Sequence, residues 1–194
     1  MRIGFDAKRL YNNFTGLGNH SRTTIDILTD EFPENDYFLY TPKIKRNNIT
    51  APYLQKQGCN TITPKGLIRG SLWRTFELAS CINHDKIDLF HGLSNELPVG
   101  IRHSKARSVV TIHDVAFRTF TDMYHWADRQ LYDLKWKYAV NNADRIIAIS
   151  KCTKDDIVRF YDVDENKIDV VYQPVAPLFY TPIPKQSANP ICCM

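Results

Sequence analysis

Short apolar runs alternate with longer amphipathic stretches along the chain, in the order expected of strands that alternate with helices. Seven apolar runs of four or five residues predict strands, over residues 2–6, 37–40, 60–63, 87–90, 108–112, 145–149 and 168–172. Apolar residues at intervals of three and four predict helices, most clearly over 19–31 and 124–141. The pattern therefore predicts an α/β fold, with a mostly parallel sheet of about seven strands doubly wound by helices.

One predicted helix, between the third and fourth strands, leaves two interpretations open. Leu72, Phe76 and Ala79 fall at helical spacing, which is typical of a helix face that packs on the core. Arg69 and Arg74 accompany them, and such a mixture of apolar and basic side chains also suits a helix that lies on a lipid surface. The sequence favours core packing and keeps peripheral contact with a membrane as the alternative.

The composition changes after residue 173. Five of the ten prolines lie beyond that point, and no glycine follows Gly100. Proline cannot continue a helix or sit in a central strand. We therefore expect one domain over 1–173 and an exposed proline-rich linker or tail over 174–194.

Composition and charge narrow the class of protein. The 194 residues are 43% hydrophobic and 24% charged, which suits one domain of moderate size and excludes a disordered or collagen-like chain. The net charge of +4 is below that of a dedicated nucleic-acid binder, so we expect no nucleic-acid partner. The first residues lack the apolar core of a signal peptide, and no apolar run is long enough to span a membrane.

The five cysteines show neither a C-x-x-C pair nor a histidine at zinc-ligand spacing. They are Cys59, Cys81, Cys152, Cys192 and Cys193. An odd number of thiols without an export signal predicts reduced cysteines in a cytoplasmic protein. We expect no metal site.

Polar residues follow several of the predicted strands directly. In a doubly wound sheet, ligands bind at the carboxyl ends of the strands, so these residues are the candidates for a site. They are Asp6 and Lys8 with the loop 15–20, the loop 91–96, His113 with Asp114, and Ser150 with Lys151.

Gly16 and Gly18 precede a predicted helix and leave three interpretations open. Their backbone N–H groups can approach a phosphate at the helix N-terminus, or the glycines can simply form a turn. A dinucleotide fingerprint is disfavoured, because Ser21 stands where it needs glycine and nine residues separate Asp6 from Gly16. A nucleotide-dependent oxidoreductase is thus a minor alternative.

His113 and Asp114 place an imidazole and a carboxylate at the end of a buried run. The imidazole can donate a hydrogen bond to a sugar hydroxyl or a phosphate, or accept a proton near neutral pH. The alternative is a histidine bonded to a loop carbonyl, with Asp114 capping a turn. Similarly, Glu96 can orient an acceptor hydroxyl, although a solvated loop glutamate is the commoner case.

Five segments of the chain resemble, in order, the amino-terminal half of a glycosyltransferase of family 4 with the GT-B fold. They are MRIGFDAKRL, TGLGNHSRTTIDIL, LWRTFELASCINHDKIDLFHGLSNELP, VVTIHDVAF and NNADRIIAISKCTKDDIVRFYDVDENKIDVVYQPV. Together they cover most of positions 1–178. The resemblance implies a Rossmann-like domain that holds the acceptor, facing a second domain that holds the nucleotide-sugar donor.

The resemblance also implies roles for particular residues. His113 lies beside the transferred sugar as the catalytic residue, and Gly16 and Gly18 lie next to the donor diphosphate. The loops expected to face the acceptor carry Asn19, His91, Ser94, Asn95, Glu96 and Asp114. Trp73 matches an aromatic residue of the family, with a structural role expected.

The family's second domain, with donor-binding glutamates in an E-x7-E arrangement, has no counterpart in this sequence. We therefore expect a truncated glycosyltransferase that is inactive alone. Its intact parent would move a hexosyl-type sugar, with retention and without metal or cofactor, to a hydroxyl acceptor in polysaccharide, lipopolysaccharide or lipid-linked glycan synthesis. The expected location is cytoplasmic, with room for peripheral contact at the inner face of a membrane. The alternative is a non-enzymatic module that binds glycan or pairs with a partner chain.

Overall fold

The computed structural model describes residues 1–66 and 70–173, which form a seven-stranded, fully parallel sheet with helices around it. The strands are β1 (Arg2–Asp6), β2 (Asp36–Tyr40), β3 (Cys59–Ile62), β4 (Leu89–Gly92), β5 (Arg107–Ile112), β6 (Arg145–Ala148) and β7 (Ile168–Val170). Their order across the sheet is β3-β2-β1-β4-β5-β6-β7. This is the doubly wound, Rossmann-like arrangement, and it confirms the predicted fold class.

Helices occupy most of the connections between the strands. The α-helices are α1 (Lys8–Asn12), α2 (Gly16–Glu31), α3 (Gly70–Leu72), α4 (Leu78–His84), α5 (Ala116–Thr119), α6 (Trp126–Asn142) and α7 (Lys151–Tyr161). Short 3-10 turns cover Ala51–Leu54, Ile101–His103, Thr121–Met123 and Glu165–Lys167. None of the helices in the described ranges is both long and apolar enough to cross a membrane.

Both faces of the sheet are buried, as the near-continuous apolar runs of a parallel sheet require. Alternate residues of β2 show this: Phe38 and Tyr40 pack in one apolar cluster, whereas Tyr37 and Leu39 pack in another. The larger cluster lies between β4–β7 and the helices α4, α6 and α7, and the smaller one joins β1 and β2 to α1 and α2.

Two predicted boundaries near the candidate site are wrong, although the elements themselves are confirmed. The fourth strand begins at Leu89 and not at Ile87, because the Ile87 N–H still bonds to Ile82 O at the end of α4. The strand consequently extends through His91 and Gly92. Helix α2 begins at Gly16, three residues before the predicted start, so the two glycines lie in its first turn.

A π-helical turn over Trp73–Glu77 joins α3 to α4 and changes which residues are buried. The Leu78 N–H bonds to Trp73 O, five residues back, so the turn holds one more residue than an α-helical turn. Trp73 and Arg74 are therefore buried, whereas Leu72 and Phe76 are 61% and 60% exposed. The predicted core packing of Leu72 and Phe76 is wrong.

Two predictions fall on residues that the structure does not describe. The proline-rich segment 174–194, with Cys192 and Cys193, lies outside the described ranges, and so does Arg69. Cys59, Cys81 and Cys152 are free thiols.

Candidate functional site

The site predicted from the sequence lies where the carboxyl ends of the strands meet, which we call the carboxyl edge. The strand order reverses there between β1 and β4, and ligands of doubly wound sheets bind in the crevice at such a reversal. The segments following β1, β4 and β5 carry nearly all of the predicted site residues.

The loop after β4 folds back tightly on its own strand. A side chain at Gly92 would run into Glu96 O, so glycine alone permits this close approach. Asn95 has a φ of +61°, a conformation that asparagine tolerates better than most residues. Its N–H bonds to Thr111 O at 2.8 Å and its Oδ1 accepts the His113 N–H at 2.7 Å. Asn95 thus fixes the loop against the end of β5.

His113 is buried, and protein partners occupy both of its ring nitrogens. The Nε2 atom lies 2.9 Å from Leu93 O, and the Nδ1 atom lies 2.9 Å from Gln173 Nε2. A carbonyl oxygen only accepts, so Nε2 carries the proton and Nδ1 accepts from Gln173. Burial lowers the pKa of His113, although the Leu93 carbonyl and Asp114 oppose this effect.

Three histidines, His20, His91 and His113, form a group beneath the carboxyl edge. The rings of His20 and His113 meet edge to face with 4.8 Å between their centroids. Burial, reinforced by the neighbouring histidines, lowers the pKa of His20 to about 4 and that of His91 to about 3. Both are therefore neutral at pH 7.

A buried ion-pair network joins the end of β1 to the loop after β4. Arg74, on the π-helical turn, donates from Nε to Asp6 Oδ2 at 2.6 Å and from Nη1 to Glu96 Oε2 at 2.7 Å. Lys135 of α6 lies 3.4 Å from the same Glu96 oxygen. One arginine thus connects the carboxylates on both sides of the strand-order reversal.

The charges of this network determine the ionisation of its members. Burial alone would raise the pKa of Glu96, but Arg74 and Lys135 outweigh it, so the pKa is lowered and the side chain stays ionised. Burial, together with repulsion from Arg74, lowers the pKa of the Lys8 side chain. The backbone N–H of Lys8 bonds to Asp6 Oδ1. The expectation of a solvated loop glutamate at Glu96 is wrong, because its side chain is only 16% exposed and is doubly paired.

The glycines of the first turn of α2 differ in their surroundings. Gly18 lies against the backbone of Asn13, where a Cβ would overlap the carbonyl oxygen, and its N–H bonds to Asn13 Oδ1. Gly16 has open space around it. Within the described ranges, the N–H groups of Gly16 and Leu17 have no hydrogen-bond partner and lie at the N-terminus of a 16-residue helix. Such a terminus attracts an anion.

The remaining predicted residues lie at the same edge with different accessibility. Asn19 is exposed on the first turn of α2, and its Oδ1 accepts from Arg22. Asp114 is exposed and caps the turn at the Ala116 N–H. Ser94 is buried, and its hydroxyl has no hydrogen-bond partner within the described ranges.

His91 does not fit the role of acceptor contact that the resemblance implies. Its ring is 8% exposed, Nε2 pairs with Thr111 Oγ1 at 2.8 Å, and Phe5 covers it. The reason is that β4 extends to Gly92, so His91 lies within the sheet and not in the loop that follows it. We assign it a packing role.

Three further residues contact the site, and none of them has a role in it that is predicted from the sequence. Arg74 falls on a predicted helix among side chains that also suit a lipid surface, and the sequence carries no signal of its burial. Lys135 reaches the site from α6, where no local pattern identifies it. Gln173 directly follows the predicted strand over 168–172, and that position was the signal that could have identified it. Within the described ranges, no three histidine, cysteine or carboxylate side chains converge in an arrangement that can hold a metal ion.

Two solved structures resemble the fold. A glycosyltransferase from Rickettsia africae ESF-5 is 13% identical with a TM-score of 0.50, over 88% of this chain and 42% of that chain. An alpha-glucosyltransferase in complex with UDP and a 13-mer DNA containing an HMU base is 16% identical with a TM-score of 0.50, over 90% of this chain and 43% of that chain. The chain thus spans less than half the length of either, and at these identities the likeness concerns the fold alone.

The sequence itself identifies the family. No curated protein sequence matches the chain. The family model described as Glycosyltransferase Family 4 matches residues 23–177, which is most of the chain. The chain therefore belongs to Glycosyltransferase Family 4.

Proposed function

We propose that this chain is the acceptor-binding half of a GT-B glycosyltransferase that moves a sugar from a nucleotide donor to a hydroxyl acceptor. The observation that carries the proposal is the buried network of Asp6, Arg74 and Glu96 beside His113, at the strand-order reversal of a domain that matches a glycosyltransferase family. Charged groups are rarely buried without a partner or a function.

Glu96 and Asp114 are the acceptor-facing groups of the proposal. An ionised carboxylate accepts hydrogen bonds from sugar hydroxyls, and Arg74 keeps Glu96 ionised and in place. Asp114 is exposed at the adjacent loop and available to the same ligand. The exposed amide of Asn19 extends the polar lining, whereas the contact of Ser94 with the acceptor stays a prediction because its side chain is buried in the loop after β4.

The donor side of the proposal is the first turn of α2. The N–H groups of Gly16 and Leu17 can hydrogen-bond the donor diphosphate, and the helix N-terminus stabilises its negative charge as the leaving group departs. His113 lies beside the sugar that is transferred. The UDP complex of the alpha-glucosyltransferase named above supports a nucleotide-sugar donor.

We extend the proposal to the finer chemistry that the resemblance described above implies. The intact protein would transfer a hexosyl-type sugar with retention, without a metal or cofactor, in the synthesis of a polysaccharide, lipopolysaccharide or lipid-linked glycan. The first turn of α2 would supply only part of the donor contacts and the second domain of the family the rest, so we propose that this chain alone does not turn over. A cytoplasmic location and the absence of a nucleic-acid partner belong to the same proposal.

Peripheral contact with a membrane is part of the proposal because apolar side chains are exposed near the site. Leu72 precedes the π-helical turn, Phe76 lies within it, and Leu134 of α6 is 68% exposed. The two elements are neighbours, since Glu96 joins Arg74 of one to Lys135 of the other. An apolar surface beside the acceptor site suits a lipid-linked acceptor.

The test is calorimetric titration of the purified chain with free and lipid-linked oligosaccharides, and with nucleotide sugars, beside Glu96→Gln and His113→Ala variants. We expect saccharide binding that weakens in Glu96→Gln. Donor hydrolysis by the chain above the His113→Ala level would refute the proposed inactivity. If the chain binds glycan but no sugar is transferred when a donor-binding domain of the family is added, the result would instead support a non-enzymatic module.

A further inference from the structure

Gln173 reaches the site from a segment that is distant in the sequence, after the carboxyl end of β7. It lies beyond the end of β7, yet its Nε2 is 2.9 Å from Nδ1 of His113, sixty positions away in the sequence. The hydrogen bond has one possible direction, because Leu93 O already holds the ring proton on Nε2. The amide of Gln173 therefore donates to Nδ1.

The two bonds hold the imidazole at both of its nitrogens. One partner is a backbone carbonyl in the loop after β4, and the other is a side chain that follows β7. The backbone of His113 is held as well, since its N–H bonds to Asn95 Oδ1 and its carbonyl accepts from Thr153 Oγ1. Removing Gln173 would leave Nδ1 as the single ring atom without a partner.

We propose that Gln173 is a positioning residue of this site, whose amide fixes the tautomer and the orientation of the His113 ring. The hydrogen bond stands on the geometry alone, and its relevance to glycosyl transfer rests on the proposed function. The arrangement also defines what His113 can offer a ligand. With the ring proton committed to Leu93 and the Nδ1 lone pair to Gln173, the ring does not donate to a phosphate oxygen, and a ligand hydroxyl can bond to Nδ1 only by displacing the Gln173 amide.

The titratable and charged groups around His113 also influence its pKa, in addition to Gln173. His20 from α2 and His91 from β4 are neutral near pH 7, because burial lowers their pKa values. The charged neighbours are Asp114 on the adjoining loop and Arg9 on α1, whose effects on the pKa of His113 are opposite in sign. These groups are the same in the wild type and in a Gln173 variant, so a difference between the two reports the loss of the amide.

The experiment is imidazole 15N spectroscopy of the 194-residue chain and its Gln173→Met variant. Gln55→Met is the matched control, because Gln55 is also an exposed glutamine and lies far from Gln173 in the sequence. We expect the wild type to show the Nε2–H tautomer. In Gln173→Met, the Nδ1 resonance of His113 should move downfield, because an unprotonated nitrogen loses its hydrogen bond, while Nε2 stays in place.

A pH titration gives a second readout. The amide stabilises the neutral ring, so its loss should raise the pKa of His113 by about half a unit to one unit, the value of one ordinary hydrogen bond. Gln173→Glu should raise it further, because a carboxylate favours the imidazolium form. Gln55→Met should change neither readout.

Two results would overturn the proposal: an Nδ1–H tautomer in the wild type, or the same Nδ1 shift in the wild type and Gln173→Met. Amide spectra of each variant show whether it is folded, and Gln173 is exposed enough for methionine to be tolerated. If saccharide and nucleotide-sugar titrations fail while the 15N spectra agree, the proposed function fails and the positioning role of Gln173 stands.

Discussion

Arg74 Nε lies 2.6 Å from Asp6 Oδ2, and both side chains are less than 10% exposed. This contact joins the last residue of β1 to the π-helical turn. The same guanidinium holds Glu96 through Nη1, so the ion pair couples a structural strand end to a candidate ligand-binding carboxylate. Burial alone would lower the pKa of Arg74, but the two carboxylates outweigh it and raise the pKa, so the charge is permanent.

Arg74→Met should strongly destabilise the protein, because it leaves Asp6 buried without its cation. We expect a loss of about 3–5 kcal/mol in the free energy of unfolding, measured by urea denaturation. Arg107→Met is the matched control, since the Arg107–Asp144 pair is exposed and should cost less than about 1 kcal/mol. Equal losses in the two variants would contradict the importance of the buried pair.

Gly18→Ala and Gly16→Ala should differ sharply despite being two residues apart. The Cβ at Gly18 would overlap the Asn13 carbonyl and displace the start of α2, which should cost about 1–3 kcal/mol. Gly16 has open space, so Gly16→Ala should leave stability unchanged or slightly raised. Thermal unfolding measures the stability of both variants. A destabilised Gly16→Ala variant would show that a Cβ at this position meets a neighbouring group.

Acid should destabilise the domain through the buried histidines. The folded pKa values of His20 and His91, about 4 and about 3, lie below the ordinary value of 6.5. The unfolded chain therefore binds more protons below pH 6.5, and stability falls as the pH decreases from 6.5 towards 4. Each such histidine contributes a slope of at most about 1.4 kcal/mol per pH unit.

Urea denaturation at pH 7, 6 and 5 measures this slope. His20→Gln should flatten it, whereas His103→Gln, at an exposed histidine, should not. The same slope in the wild type and His20→Gln would mean that His20 is not held neutral by its burial.

Leu72→Ser combined with Phe76→Ser should weaken binding to anionic lipid vesicles. Moving one such side chain from water into an apolar phase is worth about 1.5–3 kcal/mol, so the partition coefficient should fall by at least about tenfold. Phe32→Ser is the control, because Phe32 is also exposed but lies at the far end of α2. Co-sedimentation with vesicles measures the binding of each variant. Equal binding of all variants would show that Leu72 and Phe76 do not contact the membrane.

Hydrophobic patterning was sufficient to predict the fold, but it did not predict which face of the segment that carries Arg74 is buried. Every strand was predicted to within two residues, because a buried parallel strand needs a continuous apolar run. Leu72 and Phe76 were assigned to the core because their spacing fits an α-helix. The π-helical turn adds a residue to that spacing, and the bond from Leu78 N–H to Trp73 O has no signature in the sequence.

The candidate site was partly predictable for a related reason. His113, Asn95 and Glu96 follow strands directly, so topology alone brings them to one edge. Both interpretations of His113 were left open, and the structure contains the loop-carbonyl bond of the second one, along with Asp114 capping a turn. Whether His113 also contacts the sugar stays a prediction.

The partners of these residues were less predictable. Lys135 lies on α6, 39 positions from Glu96, and its contact depends on how that helix packs, which no short-range pattern encodes. Gln173 follows β7, so topology places it at the same edge, but its hydrogen bond to His113, 60 positions away, depends on side-chain packing.

The most direct test of the account is amide NMR mapping of the chain with a panel of nucleotide sugars and oligosaccharides. We expect chemical-shift changes centred on the carboxyl edge, at Gly16, Asn95, Glu96, His113 and Asp114. Nucleotide sugars should affect mainly the first turn of α2, and oligosaccharides mainly the loop after β4. No change with any member of the panel, or changes centred on the amino-terminal ends of the strands, would contradict it.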